Sequence, residues 1–517
     1  MEWLRWFWTQ LTSMRTALIL LFILALAAIP GSFVPQRPVN PIRVSDFIAD
    51  NPGLGEWYER LGLFDVYGSP WFAAVYLLLY ASLVGCIVPR IAVYARAVRT
   101  PPPHTPARLD RLPAHAEGVT TASEPDALAA AEQWLRARRF RTRREEGAVA
   151  AERGYLREFG NIVFHLSFVL LLGGLAWNTL ASYRGEVIVV EGQAFSNNLT
   201  QYDDFRAGAA FNPTQLRPFT IFVDAFTASF ETGPVQRGAA REFRADVRTA
   251  DPGAEPQAST IEVNHPLRVD GTNVHLIGHG YAPVITITDP QGNVATSGPV
   301  VFLPQDGNFS SLGVVKAPDA RPEYLALEGW FLPTAVVDEQ GPHSVFPDAL
   351  VPELFLTVWA GPPREETSAP ESVYSINKDD LAQMTTAEGA PVAFRLAPGQ
   401  IVDLPDGSTV EFSDWQRWVK LQVSSEPGLW LAAVSILLAI AGLGLSLYVR
   451  PRRLWVRVAD ADGTTRVVAG GLDRTDTAQG LGDDVVALAR AAGVAELAET
   501  PAVTDTGAEL FGKQGVG

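Results

Sequence analysis

Phe159-Gly-Asn-Ile-Val-Phe-His-Leu-Ser-Phe-Val-Leu-Leu-Leu-Gly-Gly174 carries one ionisable side chain, His165, in an otherwise uncharged run that continues to Tyr183. Such a run reaches the length that crosses a bilayer, about 20 residues. Three more stretches free of Asp, Glu, Lys and Arg lie at Thr16–Gln36, Val66–Pro89 and Pro427–Val449. The first is long and has no Ala-x-Ala-like site after it, which marks an anchor rather than a cleaved signal peptide. The sequence therefore describes an α-helical membrane protein with four transmembrane helices. The lipid bilayer is its first partner.

Basic residues cluster at the span ends. Arg90, Arg96 and Arg99 follow the second span; Arg136, Arg138, Arg139, Arg141, Arg143 and Arg144 precede the third; Arg450, Arg452, Arg453 and Arg457 follow the fourth. Basic flanks stay in the cytoplasm. Both termini and the 90–158 loop are then expected inside, with the 37–65 loop and the 184–426 region outside. Arg15 agrees, while Arg37 and Arg43 run against the trend. The 184–426 region holds 15 basic and 32 acidic residues in a chain of net charge −16, which argues against a nucleic-acid partner.

The segments differ in texture. Residues 1–36 open with Trp3, Leu4, Trp6, Phe7, Trp8 and Leu11, an aromatic density that suits the headgroup interface. The 37–65 loop carries Phe47, Leu54, Trp57, Tyr58 and Leu61 at the spacing of a short helix. In the 90–158 loop a Pro-rich linker precedes a helix over Glu124–Arg136, capped by Ser123, and a hairpin about Glu146-Gly147, together an αββ module. Spans 66–89, 159–183 and 427–449 separate these parts from 184–426. There, short β-rich runs such as Glu186–Glu191, Phe219–Asp224, Asn273–Gly278 and Ala282–Asp289 alternate with turn signals. They predict a large all-β extracytoplasmic domain, sandwich- or barrel-like, of one or two subdomains. Residues around Thr367–Met384 read as insertions. The 450–517 tail predicts a hairpin over Leu454–Val468, a helix over Asp483–Ala492 and a disordered Gly-, Thr- and Asp-rich end.

An ionisable group in a lipid-spanning helix is costly and is by default a functional candidate. Imidazole is also a common ligand of haem iron. His165 lies roughly six residues into its span, about 9 Å deep at 1.5 Å per residue, which is the inner leaflet. Asn161, one turn earlier on the same face, is placed to fix the imidazole tautomer. On position alone, ligation competes with plain packing against a neighbouring helix. Cys86, the lone cysteine, sits at similar depth beside Gly85. It reads first as a small packing residue, with a thiolate ligand as the alternative. His265, His275 and His279 form a second group, in which His275 and His279 would share a strand face. With no carboxylate or paired cysteine at ligand spacing, exposed strand and turn histidines are the plainer reading. The lack of Cys-x-x-Cys and Cys-x-x-Cys-His excludes a thiol–disulfide oxidoreductase and a chain carrying its own covalent haem. No phosphate loop, nucleophile elbow, zincin helix or dinucleotide fingerprint occurs. No residue is assigned a catalytic role.

Eight motifs, in order, carry a resemblance: Gly31-Ser-Phe-Val-Pro-Gln36, Leu61-Gly-Leu-Phe-Asp-Val-Tyr67, the Gly154–Leu166 entry to the third span, Tyr183-Arg-Gly-Glu-Val-Ile-Val-Val-Glu-Gly192, Val263-Asn-His-Pro-Leu267, Gly280-Tyr-Ala-Pro283, Trp418–Gly428 and Arg452-Arg-Leu-Trp-Val-Arg457. Their order and spacing resemble the ResB family, also called CcsB, the four-span subunit of system II cytochrome c biogenesis. The resemblance implies a bacterial plasma-membrane protein working with a multi-span ResC/CcsA-type subunit. Such pairs move haem b, a transiently bound substrate, outward and join it to apocytochrome c. This chain would be a non-catalytic or co-catalytic subunit of that holocytochrome c synthase. A third-span histidine that helps bind haem in the family maps onto His165. The family's external ligands belong to the partner and are not transferred to His265, His275 or His279. One imidazole supplies one axial ligand, so the second must come from elsewhere, most simply a partner helix. Phe164, Phe168 and Leu172 would line the groove, and the outer domain could hold apocytochrome by strand addition. The alternative is a structural scaffold or apocytochrome-binding chaperone subunit in which His165 only packs.

Overall fold

The computed structural model describes residues 2–339, 341–363, 374–461, 464–473 and 480–497. The disordered end expected after the last helix and part of the Thr367–Met384 insertion lie outside the described residues. The helices are α1 (Glu2–Leu11), α2 (Met14–Phe33), α3 (Pro41–Asp50), α4 (Pro52–Arg60), α5 (Pro70–Arg99), α6 (Glu124–Ala137), α7 (Tyr155–Ala181), α8 (Leu429–Tyr448) and α9 (Leu481–Ala491). Four of them, α2, α5, α7 and α8, are long and apolar enough to cross a membrane. Ser13 and Ser69 cap α2 and α5 by accepting from the Thr16 and Phe72 backbone N–H groups, and Pro70 starts α5 with its ring preset for a helix. α5 continues past Pro89 to Arg99, because Ile91-Ala-Val-Tyr-Ala-Arg96 forms helix well outside an apolar run. Contacts divide the chain into residues 1–175 with 429–517, and residues 176–428.

In the first unit, the loop after α5 and the tail after α8 fold into one αβ domain. Its five antiparallel strands run in the order Ala114–Thr120, Thr464–Asp473, Arg452–Ala461, Ala148–Arg153, Arg141–Glu145. Leu128, Ala131 and Leu135 of α6 and Val485 and Leu488 of α9 pack on Val149, Val456 and Val467. The strand Ala114–Thr120 departs from the expected αββ order. His115-Ala-Glu-Gly lacks β-branched alternation and becomes a strand because the tail strand offers it a ladder. Arg452 is buried at 4 % exposure between Asp473 (2.9 Å) and Asp484 (2.6 Å), and Arg453 pairs with Glu152 at 2.9 Å. Arg453 therefore ties the tail to the loop, while Arg452 ties the tail strand to α9. Two long apolar helices, α7 and α8, lie between loop and tail, so a chain crossing with both returns to the side it left.

The segment between α2 and α5 forms two short helices where one was expected, because Asn51-Pro52 interrupts the helical backbone. Phe47 stacks on Tyr58, and Phe64 packs edge-on or tilted against both, at 5.6 to 5.9 Å between centroids. Gln36, nearly buried, joins two of the motifs: its Nε2 donates to the Val34 and Leu63 carbonyls (2.9 Å each), and its Oε1 accepts from Val66 N–H at 3.1 Å.

The second unit is β-rich throughout. Two long antiparallel strands, Thr272–Thr288 and Thr409–Ser425, form its spine. One half of this pair packs Val274, Val419, Leu421 and Val423 on a four-stranded sheet bearing Ile221, Val223, Val247 and Ile261. The other half packs Tyr281, Ile285, Ile287 and Phe412 on a six-stranded sheet bearing Val315, Leu327, Leu354 and Leu356. Two cores thus share one pair of strands, and bulges at Leu276–Gly278 and Val284–Ile285 turn the pair between them. At the junction Trp418 lies flat on Gly280, where any Cβ would strike the indole. Its Nε1 donates to the Tyr281 carbonyl (3.0 Å) and the Phe302 carbonyl (3.1 Å). Two of the sequence motifs meet there.

Candidate functional site

Small residues set the position of α7. Gly160, Ser167 and Gly174, spaced by seven, are its buried residues, and Ala432, Ser435 and Gly442 are those of α8. A Cβ on Gly160 would stand 2.6 Å from Leu445 Cβ and 2.7 Å from the Gly442 carbonyl oxygen. Backbones that approach this closely gain dispersion contacts, which is how helices associate in lipid. Ser167 Oγ donates to the Phe164 carbonyl (2.6 Å) and Ser435 Oγ to the Leu431 carbonyl (2.7 Å), so neither hydroxyl is stranded in the seam.

A second side of α7 meets α5. The Tyr76 hydroxyl donates to the Leu172 carbonyl, and Tyr94 lies 6.3 Å from Phe159 between ring centroids. These contacts bracket His165. Its helical angle puts it away from the α8 seam and beside α5, where it is half-buried. The Phe164 ring stands edge-on to the imidazole at 5.4 Å, and Phe168 packs on Phe164 at 5.0 Å. Phe168 is exposed, and Leu172 is half-buried under Tyr76. The ring thus borders an aromatic, partly open flank. Neutral imidazole there has a lone pair available to a metal and an N–H for a partner.

Asn161 lies one turn from His165, but no hydrogen bond joins the two among the described residues. Asn161 instead lines a cleft with Arg157, Glu158, Ser446 and Pro451. Cys86 is also spoken for: its Sγ donates to the Thr12 carbonyl at 2.8 Å, beside Ser82 Oγ donating to the Leu11 carbonyl at 2.6 Å. With Gly85 pressed against Thr12, these residues seat the end of α1 on α5. Cys86 thus packs where the turn after α1 meets α5.

The outer histidines do not assemble. The bulge at Leu276–Gly278 pairs His275 with Gln422 and His279 with Val419, three residues apart on the partner strand, so the two rings face opposite sides. An uninterrupted strand would have put them on one face; the extra residue reverses the alternation. His265 is exposed in a turn. No cluster of three or more metal-binding side chains occurs among the described residues. His279 itself is buried, caged by Phe226 (5.0 Å), Phe243 (4.5 Å) and Phe309 (4.6 Å). Sequence reasoning took it for an exposed residue; the signal it lacked was the four-stranded sheet folding over it.

Loss of hydration in that cage, reinforced by the Arg417 charge, pushes the His279 pKa down to about 4 from 6.5. The unfolded chain therefore binds the proton more readily. Stability is complete above pH 6.5 and falls as the pH drops from 6.5 towards 4, by about 3 kcal/mol in all. His279→Phe should remove this slope from thermal unfolding of the full chain across that range, whereas an unchanged slope would mean His279 is not its source.

The sequence matches the ResB-like family over residues 14–484. The chain belongs to that family. Among its relatives, the cytochrome c biogenesis protein CcsB of Synechococcus sp. (strain CC9605) is 29% identical over 474 residues, covering 89% of this chain and 91% of that one. The protein of the same name from Synechococcus sp. (strain WH7803) is 28% identical over 348 residues, 65% of this chain and 73% of its own. A third, from Prochlorococcus marinus (strain MIT 9303), is 26% identical over 474 residues, covering 90% and 93%. The family match spans the membrane helices, the β-rich domain and the tail to within α9, so the loop–tail sheet lies inside it.

Proposed function

We propose that this chain serves cytochrome c maturation as a haem-handling membrane subunit, with His165 donating one axial ligand to haem b. The observation that carries the reading is His165 itself, the only histidine in the four apolar helices, held at a half-buried, aromatic flank of α7 turned away from the α8 seam. The names of the relatives, cytochrome c biogenesis protein CcsB, support the process. Haem is cargo, and its iron supplies a ligation site that a neutral imidazole fits. Phe164 holds the ring upright, and the Gly160 seam holds the helix. A multi-span ResC/CcsA-type partner helix supplies the second ligand, and apocytochrome c receives the haem.

In this arrangement the αβ domain and both termini are cytoplasmic and the β-rich domain is extracytoplasmic, in the bacterial plasma membrane. Supporting this are the arginines at the αβ-domain ends of the spans, and the single sheet built from loop and tail. The test is an absorption spectrum of the protein co-purified with its partner subunit. His165→Ala is expected to remove at least nine-tenths of the b-type haem signal, and added imidazole to restore part of it. The scaffold reading draws on the edge-on Phe164–His165 contact. It expects instead a loss of complex yield that imidazole does not repair, with haem per complex unchanged.

A further inference from the structure

Among the described residues, one cation near His165 has no anionic partner. Arg90 lies on the stripe Tyr76, Tyr80, Leu83, Ile87, Arg90, Tyr94 of α5, whose tyrosines touch α7 at Leu172 and Phe159 and approach Gly173. Interpolating between those contacts puts His165 opposite the Leu83–Ile87 stretch. Arg90 follows about one turn further towards the αβ domain, on the order of 6 Å along the axis. Its side chain is exposed. Its contact within the fold is Met14 Sδ at 4.0 Å, and it forms no ion pair among the described residues. Several arginines around this end of the bundle are engaged within the fold: Arg141 donates to the Thr100 carbonyl and stacks on Tyr155, and Arg153, Arg452 and Arg453 are held by carboxylates.

A planar five-donor fork, always charged and placed where the apolar layer ends, is the group that captures a carboxylate. Haem carries its two carboxylates on one edge of the macrocycle, the rest of which is apolar. A haem coordinated by His165, with that edge directed out of the apolar layer, brings a carboxylate to the level of Arg90. We propose that Arg90 binds a haem propionate and so sets the orientation of the macrocycle at His165. The proposal rests on His165 being the ligand, but each half has its own readout. The plainer role of Arg90 is that of a basic residue marking the cytoplasmic end of a span. That role gives no reason to prefer one haem ester form over another.

The experiment uses the full chain in phosphatidylcholine nanodiscs, titrated with ferric haem b and separately with its dimethyl ester, followed by the Soret band. Wild type is expected to bind haem b about tenfold more tightly than the ester, the effect of one charge-assisted pair. Arg90→Gln should bind both at the ester's affinity with the Soret position unchanged, and Arg90→Lys should recover part of the preference. Equal thermal unfolding of the three proteins separates this result from misfolding. A preference that survives in Arg90→Gln overturns the proposal while leaving the ligand intact. An unaltered spectrum in His165→Ala, with the preference still lost in Arg90→Gln, overturns the ligand and keeps Arg90 as the carboxylate partner.

Discussion

Gly160→Leu is expected to separate α7 from α8 and to destabilise the membrane bundle by about 3 kcal/mol, the upper range for overpacking a tight contact. The obstacle is backbone as well as side chain: Gly442 carbonyl oxygen and Ser446 N both stand 2.7 Å from the new Cβ. Neither can rotate away, so the helices must part along the seam that Ser167, Gly174, Ala432 and Ser435 share. In lipid the lost contacts have no hydrophobic compensation, since a parted helix surface meets tails as apolar as itself. Gly444→Leu is the matched control, because nothing lies within 4 Å of a Cβ at that position. Resistance to unfolding in a graded detergent series should fall for Gly160→Leu and stay at wild type for Gly444→Leu. Equal resistance in the two variants would mean that the seam does not hold the helices.

Trp418→Ala is expected to cost the β-rich domain about 4 kcal/mol, within the range for deleting a buried aromatic. The indole is 3 % exposed, covers Gly280 and packs with Val190 and Ala282, so its removal leaves a void in the middle of the spine. It also leaves the Tyr281 and Phe302 carbonyls without the donor they share. Trp418→Phe keeps most of the ring volume and loses the donor, for which about 1 to 2 kcal/mol is expected. Denaturant unfolding of the full chain, followed by near-ultraviolet dichroism, reads both. If the phenylalanine variant fell as far as the alanine variant, the hydrogen bonds rather than the packed ring would dominate the junction.

Long stretches without charge made the membrane helices legible. Runs such as Thr16–Gln36 and Pro427–Val449 leave helix as the only open element that satisfies its backbone in lipid, so composition suffices to find them. The β class of the 176–428 unit was equally readable, since strand and turn chemistry are local. His165 stood out for the same kind of reason, as an ionisable group where few belong.

What sequence reasoning missed depends on partners far away in the chain. The strand Ala114–Thr120 forms on a tail strand about 350 residues later, and nothing in His115-Ala-Glu-Gly-Val-Thr announces it. His275 and His279 looked like a pair until a bulge, which adds one residue and reverses every later side chain, sent them apart. Cys86 was readable as a packing residue, but its partner, the Thr12 carbonyl in the turn after α1, was not.

By itself, then, the sequence determined which helices are long and apolar enough to cross a membrane, which region is β and that one of those helices carries a lone imidazole, because these follow from solvent preference and local backbone geometry. Only the tertiary structure decided that loop and tail make one sheet, that His279 is a caged core residue, and that Arg90, with no ion pair among the described residues, lies on the stripe of α5 that meets α7. Those outcomes rest on which surfaces meet, and contact between distant segments is set by packing and register rather than by any stretch read alone.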